Sequence, residues 1–205
     1  YDDFDKSVLG DALTSPAAAT VSILLDTRAY DVICGAPTPA SGRGRGALDD
    51  HLPPQLADQL IKIAARDAQK RGRPADAARL HSLTGDDVSV LRVLVERLGQ
   101  VVATTNDADR AFWLETCNDF AERRIAAVVN ELRASDEEEL GYAFESLLNL
   151  AQFFDAVRAD ACSDALRSLD ATRFVPSTDD SVGPCLDAFY RRDPTVQRLL
   201  PEVLG

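Results

Sequence analysis

Two histidines are the side chains of this sequence best suited to proton transfer near neutral pH. His51 stands beside a pair of prolines, and His81 lies in a short predicted helix. Neither has a serine or cysteine close by in a nucleophile motif, and glycine-rich phosphate loops and metal ligands at helical spacing are also absent from the sequence. The sequence therefore predicts no catalytic, cofactor-binding or metal-binding residue, and we expect a protein that is not an enzyme.

Paired carboxylates are the other feature that can support acid–base chemistry. Acidic pairs and runs occur at Asp49–Asp50, Asp86–Asp87, Glu137–Glu139 and Asp179–Asp180. Each falls at a predicted helix start or in a loop, where helix capping and the helix dipole favour an acidic side chain. We therefore interpret them as structural.

Four cysteines, at Cys34, Cys117, Cys162 and Cys185, are widely spaced and form no CxxC motif. Three fall on apolar faces of predicted helices, where a free thiol behaves as a small hydrophobic side chain. This favours reduced thiols in an intracellular, cytoplasmic protein. The even count leaves an alternative: a secreted or virion-associated helical protein, stabilised by disulfides, that binds a host target or a small apolar ligand.

Positive charge is concentrated in one part of the chain. The candidate interaction residues there are Arg43, Arg45, Arg66, Lys70, Arg71 and Arg73. The SGRGRG stretch is similar to a fragment of the arginine–glycine tracts that contact RNA. However, the chain has 34 acidic against 22 basic residues and a net charge of −12, which disfavours nucleic acid as the partner. A phosphate or an acidic partner segment is the other ligand that this region suits.

The longest helical pattern covers residues 106–170. Thr105 or Asn106 is the expected N-cap of its first helix, and apolar residues then recur at steps of three and four with no glycine or proline in 107–134. Ser135 and Glu138 match a capping box that begins the second helix. We expect a long antiparallel αα-hairpin, with a break in its second helix near 158–160 because longer helices are unusual.

Proline and glycine mark the limits of the other helices. Predicted starts are Ser15–Pro16, Pro53–Pro54, Pro74, Asp86 or Asp87, Pro184 and Asp193–Pro194, and predicted stops are Gly35, Gly72 and Gly85. Seven to nine helices and no strand result, so the fold class is all-α. Residues 141–169 resemble the helix–break–helix unit of armadillo and HEAT repeats, without a repeat at a fixed period. The expected arrangement is an irregular multi-helix bundle or a short α-solenoid around the hairpin.

The length suits a single all-helical domain over residues 1–205. The chain contains no methionine, so we expect an excised or processed part of a longer protein. Residues 35–52 are rich in glycine, proline and serine and are expected to form a flexible loop. No apolar run reaches the roughly 18 residues of a membrane span.

These features favour a non-enzymatic protein–protein interaction domain of the scaffold or adaptor kind. Its partner is expected to be a protein whose identity, like the oligomeric state, the sequence does not give. Trp113, the only tryptophan, is either a core anchor or an interface hot spot, and a core position is favoured.

Overall fold

The structure is a computed structural model that describes residues 16–38, 43–105, 108–172, 176, 179–199, 201 and 203. The chain divides into two compact units, Tyr1–Val90 and Leu91–Gly205. The α-helices are α1 Pro16–Thr27, α2 Tyr30–Ile33, α3 Pro54–Lys70, α4 Pro74–Leu83, α5 Asp87–Val101, α6 Ala108–Arg123, α7 Ile125–Ala134, α8 Glu138–Arg158, α9 Cys162–Thr172, α10 Val182–Arg191 and α11 Pro194–Gln197. Short 3₁₀ helices span Ala47–Asp50 and Asp179–Ser181.

Over the described ranges the chain forms no strand, and a single antiparallel bridge joins Pro37 to Arg43. The all-α class is therefore confirmed. In the same residues no helix is both long and apolar enough to cross a membrane.

In the first unit, α3 packs against α1 and α4. The buried face of α3 is made largely of alanines, which allow neighbouring helices to approach closely: Ala57, Ala64, Ala65 and Ala68. The predicted ends are confirmed at Gly72 and Gly85, which have φ of 70° and 67°. Glycine adopts these left-handed values without the steric cost that a Cβ imposes.

The predicted helix from Pro16 to Gly35 is divided in two. Arg28 has φ of 53°, so α1 ends at Thr27 and α2 begins at Tyr30. The Thr27 hydroxyl donates to the carbonyl oxygen of Ile23 at 2.7 Å and competes with helix continuation, and the turn buries Tyr30. The expected cap at Ser15 lies outside the described residues.

In the second unit, α8 packs against α6, α7, α9 and α11. Its buried side chains include Phe144, Leu147 and Leu150, and the Phe144 ring meets Phe120 of α6 edge-on with 5.9 Å between centroids. Gly99 of α5 lies against α11, because a Cβ built there would be 2.0 Å from a methyl carbon of Thr195.

The hairpin differs from its prediction in two places. Arg124 leaves helical geometry (φ −127°, ψ −25°), so the helix expected over 107–134 becomes α6 and α7. The expected capping box is wrong: Ser135 ends α7, and its hydroxyl donates to the carbonyl oxygens of Glu131 and Leu132. Asp136, with φ of 58°, then turns the chain into α8. The helices expected over 107–134 and 16–34 are each divided in two. This accounts for the eleven α-helices among the described residues, where at most nine were expected.

The predicted break in the second helix of the hairpin is confirmed. The α8 helix ends at Arg158, Asp160 has φ of 54°, and α9 begins at Cys162. The Arg158 guanidinium fixes this end by donating to the carbonyl oxygen of Thr104 at 2.5 Å and to the Asp155 carboxylate at 2.9 Å.

Candidate functional site

The second unit has a concave apolar groove between the end of α6, α7 and the start of α8, which we call the α7–α8 groove. It encloses about 370 Å³. Its lining residues are Ala121, Ile125, Val129, Leu132, Arg133, Glu138, Gly141, Tyr142, Phe144, Glu145 and Leu148. That volume falls in the range of sites that accept a ligand or one or two side chains of a partner.

Glycine and a buried floor shape this groove. Gly141 lets α8 lie close to α7, because a Cβ at this position would be 3.3 Å from the Leu132 side chain. Leu132 and Phe144 are buried and form the floor, while Val129 and Leu148 are only partly covered. When a partner removes such partly covered apolar side chains from water, the free energy falls, and this favours binding.

The rim of the groove is polar and mostly acidic. Glu138 and Glu145 are exposed on α8, and Arg133 lies 3.7 Å from Glu138. The Tyr142 side chain is 48% exposed, with the Arg192 guanidinium 5.7 Å from its ring centroid. An apolar floor with an acidic rim suits a partner segment that carries a bulky apolar side chain beside a lysine or arginine.

Arg43, a predicted interaction residue, makes its contacts inside the first unit. Its side chain is only 8% exposed and donates to the Asp49 carboxylate at 2.5 and 2.9 Å, to Asp58 at 2.9 and 3.1 Å, and to the carbonyl oxygen of Cys34 at 2.6 Å. The hydrogen bonds from Arg43 and from the Gly46 N–H hold the pKa of Asp49 below its ordinary value. These contacts tie residues 43–58 to the end of α2.

The other predicted basic residues are mostly neutralised by carboxylates. Arg45 pairs with Asp50 at 2.6 Å, and Arg71 pairs with Asp67 at 2.7 Å. Arg73 pairs with an aspartate of α4 at 2.6 Å and donates to the carbonyl oxygen of Leu25 at 2.8 Å, whereas Arg66 and Lys70 are exposed on α3. At least four of these cations are held in ion pairs, so this region is a poor electrostatic match for an anionic partner.

Trp113 is buried, the position that the sequence analysis favoured. Its indole N–H donates to the Asp109 carboxylate at 3.1 Å. The Arg97 guanidinium lies 5.4 Å from the ring centroid and pairs with Asp109 at 2.9 Å. Trp113 thus joins α6 to α5 and offers a partner no surface in this structure.

His81 has a structural environment. It is buried, with Nδ1 3.5 Å from the Asp86 carboxylate. Asp86 also accepts a hydrogen bond from the Ser89 N–H at 3.2 Å and so caps α5, as predicted. The adjacent His81 side chain, followed by the hydrogen bonds from Ser89, lowers the pKa of Asp86.

All four cysteines are free thiols in the structure. Cys34 and Cys117 are buried, and burial raises their pKa values to about 11 and about 12. The alternative of a disulfide-stabilised protein therefore gains no support from the structure. In the part of the chain that the structure describes, no group of three or more histidine, cysteine, aspartate or glutamate side chains is placed to hold a metal ion.

The α7–α8 groove was not predicted from the sequence. A usable signal was present in Gly141, which lies in the first turn of a helix with apolar residues on either side of it. Its meaning depends on the helix that packs opposite, and periodicity within one helix does not identify that neighbour.

Similarity to known proteins distinguishes the expected scaffold domain from the secreted alternative. A family model described as Nup93/Nic96 matches residues 14–205. The chain belongs to the Nup93/Nic96 family. It is 24% identical over 185 residues to nuclear pore complex protein Nup93 of Danio rerio, covering 89% of this chain and 22% of that protein. With Nup93 of Xenopus tropicalis the identity is 25% over 184 residues, with the same coverage.

The Drosophila melanogaster nuclear pore complex protein Nup93-1 is 28% identical over 148 residues, covering 71% of this chain and 17% of that protein. The chain thus spans about a fifth of the length of the relatives that it matches. Membership of the Nup93/Nic96 family confirms the predicted helical protein-interaction scaffold, and it gives no support to the secreted alternative.

Proposed function

We propose that this chain is a non-enzymatic helical segment of a nuclear pore scaffold, located inside the cell at the nuclear pore, that binds another nuclear pore protein through the α7–α8 groove. Family membership carries the proposal, since the relatives are nuclear pore complex proteins. The all-α fold fits it, because packed helices give a scaffold rigid surfaces with grooves between them.

The construction of the groove suits a protein partner. It combines a buried apolar floor with partly covered walls and an acidic rim, its two glutamates are exposed to solvent, and its lining contains no histidine, cysteine or serine. Binding rather than catalysis is what these side chains support. We propose as partner a short segment in which a bulky apolar side chain fills the floor and a neighbouring cation pairs with Glu138 or Glu145.

The first unit plays a different part in this proposal. Because Arg43, Arg45, Arg71 and Arg73 are paired with carboxylates, that unit supports the scaffold itself rather than a nucleic-acid contact. Its exposed cations on α3, Arg66 and Lys70, then contribute to solubility.

A photo-crosslinking amino acid at Tyr142 tests the proposal in the cells that produce the protein. Tyr190 is the matched control, because it is also a tyrosine on a helix of the second unit, is 75% exposed and does not line the groove. The proposal predicts that the protein is found at the nuclear rim and that the Tyr142 probe, but not the Tyr190 probe, crosslinks to a nuclear pore protein. Absence from the rim, or equal crosslinking at the two positions, would contradict it.

A further inference from the structure

The turn between α7 and α8 carries an exposed serine that is followed at once by four acidic residues, Asp136 to Glu139. We propose that Ser135 is phosphorylated by a serine/threonine kinase that selects acidic residues after the acceptor, and that the phosphate loosens the wall of the α7–α8 groove. The effect on binding rests on the proposed function, whereas the modification itself does not.

The position suits such a kinase. Asp136 and Glu139 are exposed, so their carboxylates are available to the basic residues with which an enzyme recognises an acidic motif. Ser135 is the one serine in the sequence that is followed directly by more than one acidic residue. Asp136 has a left-handed φ, and this unfavourable backbone conformation lowers the cost of opening the short turn into the extended form that a kinase binds.

In the reaction, Ser135 Oγ attacks the terminal phosphoryl group of ATP. The new bond joins Oγ to phosphorus, the bond from phosphorus to the bridging oxygen breaks, ADP leaves, and the hydroxyl proton passes to the kinase. The product carries a charge of about −1.5 to −2 near neutral pH.

This product conflicts with its surroundings. The Ser135 hydroxyl donates to the carbonyl oxygens of Glu131 at 3.1 Å and Leu132 at 3.2 Å, and phosphorylation removes that donor. The new charge lies at the negative end of the α7 dipole, directly before four carboxylates. Arg92 and Arg133 pair with carboxylates of the same acidic run, so each is already engaged.

The last turn of α7 should therefore loosen. That turn carries Leu132 and Arg133, which line the groove. A kinase acting on the turn would in this way weaken the surface that we propose for a nuclear pore partner.

The test treats the folded protein with ATP and a purified acidic-directed serine/threonine kinase, and then locates phosphate by mass spectrometry. We expect one phosphate at Ser135, lost in Ser135→Ala and reduced by at least about tenfold when residues 136–139 are changed to their amides, since each lost charge contact weakens recognition. Exposed Ser163, which is followed by a single acidic residue, is the internal control. If Ser135 stays unmodified while the kinase labels an acidic control peptide, the proposal is overturned.

Hydrogen exchange measures the structural consequence without any partner. Phosphorylation should speed exchange of the amides of residues 131–137 by about tenfold and leave α9 unchanged, because the repulsion is local. Equal exchange with and without phosphate would overturn the predicted loosening. If Ser135 is phosphorylated and the turn loosens, but the unphosphorylated protein gives no crosslink from Tyr142 to a nuclear pore protein, then the proposed function has failed and the inference about Ser135 stands.

Discussion

Replacing Arg43 with alanine should destabilise the first unit, because this side chain has internal partners that no other residue replaces. The hydrogen bond to the Cys34 carbonyl oxygen, at 2.6 Å, has a charged donor and should contribute about 1.5–3 kcal/mol. The pair with Asp49 adds roughly 1 kcal/mol, since Asp49 keeps the Gly46 N–H as a partner. The pair with Asp58 adds little, because that carboxylate is 47% exposed. The expected loss is about 3 kcal/mol.

Urea unfolding of Arg43→Ala, Arg43→Lys and Arg45→Ala measures this loss. Lysine keeps the charge but cannot bond three groups as the guanidinium fork does, so we expect about half of the loss. Arg45→Ala is the matched control: the Arg45 side chain is 76% exposed in its pair with Asp50, and its loss should be under about 0.5 kcal/mol.

Hydrogen exchange of the backbone amides next to Arg43 measures the same effect independently. The Gly44 N–H donates to the Ala36 carbonyl oxygen at 2.7 Å, and the Gly46 N–H donates to Asp49 at 2.8 Å. Both amides should be protected in the parent protein and lose protection in Arg43→Ala. Free exchange of both amides in the parent, as expected for a flexible loop over 35–52, would contradict the structural role of Arg43. Unfolding of Arg43→Ala and Arg45→Ala at the same urea concentration would also contradict it.

Three further predictions concern packing, pH and thiol reactivity. Gly99→Ala should lower the free energy of unfolding in urea by about 1–3 kcal/mol, because the new Cβ would overlap a methyl group of α11. Gly183→Ala is the control and should not destabilise the protein, because a Cβ there meets nothing within 4 Å. Asp86→Ala should lower the free energy of unfolding by about 1–2 kcal/mol at pH 7. Because folding lowers the pKa of Asp86, this difference from the parent should persist above about pH 4 and shrink below it. A difference that does not change with pH would contradict this. Exposed Cys162 should react with a maleimide at least about tenfold faster than buried Cys117, whose pKa is raised to about 12, and equal rates by mass spectrometry would count against the packing.

Most helix limits could be predicted from the sequence because they depend on local chemistry. Pro74 opens α4, Gly85 follows its end, and Asp193 caps α11 by accepting from the Thr195 N–H at 2.7 Å. Proline at the first turn, left-handed glycine and an aspartate cap each act within a few residues, so the one-dimensional pattern contains the cause.

The divisions at Arg28 and Arg124 were not predictable in this way. Neither residue is a glycine or a proline, and apolar residues continue at helical spacing on both sides of each break. At Ser135 the pattern was ambiguous, since a serine between two helices can cap the following helix or bond back to the preceding one. The structure shows the second arrangement, with Asp136 in the left-handed region.

The candidate site depends on contacts between distant residues. Arg43 looked like a surface cation because the sequence does not show that Asp58 and the Cys34 carbonyl oxygen meet it. The groove likewise requires Gly141 of α8 to face Leu132 of α7. Composition favoured a protein partner, and the location that we propose for its surface rests only on the packing.

The most direct test of the central claim combines the crosslinking probe at Tyr142 with a change in the groove. Val129→Glu places a charge on the groove wall, and Val157→Glu makes the same change on α8 at a position that is 50% exposed and outside the groove. If both variants are folded and reach the nuclear rim, we expect Val129→Glu to abolish the crosslink to a nuclear pore protein and Val157→Glu to keep it. A crosslink that survives Val129→Glu unchanged would show that the groove does not bind the partner.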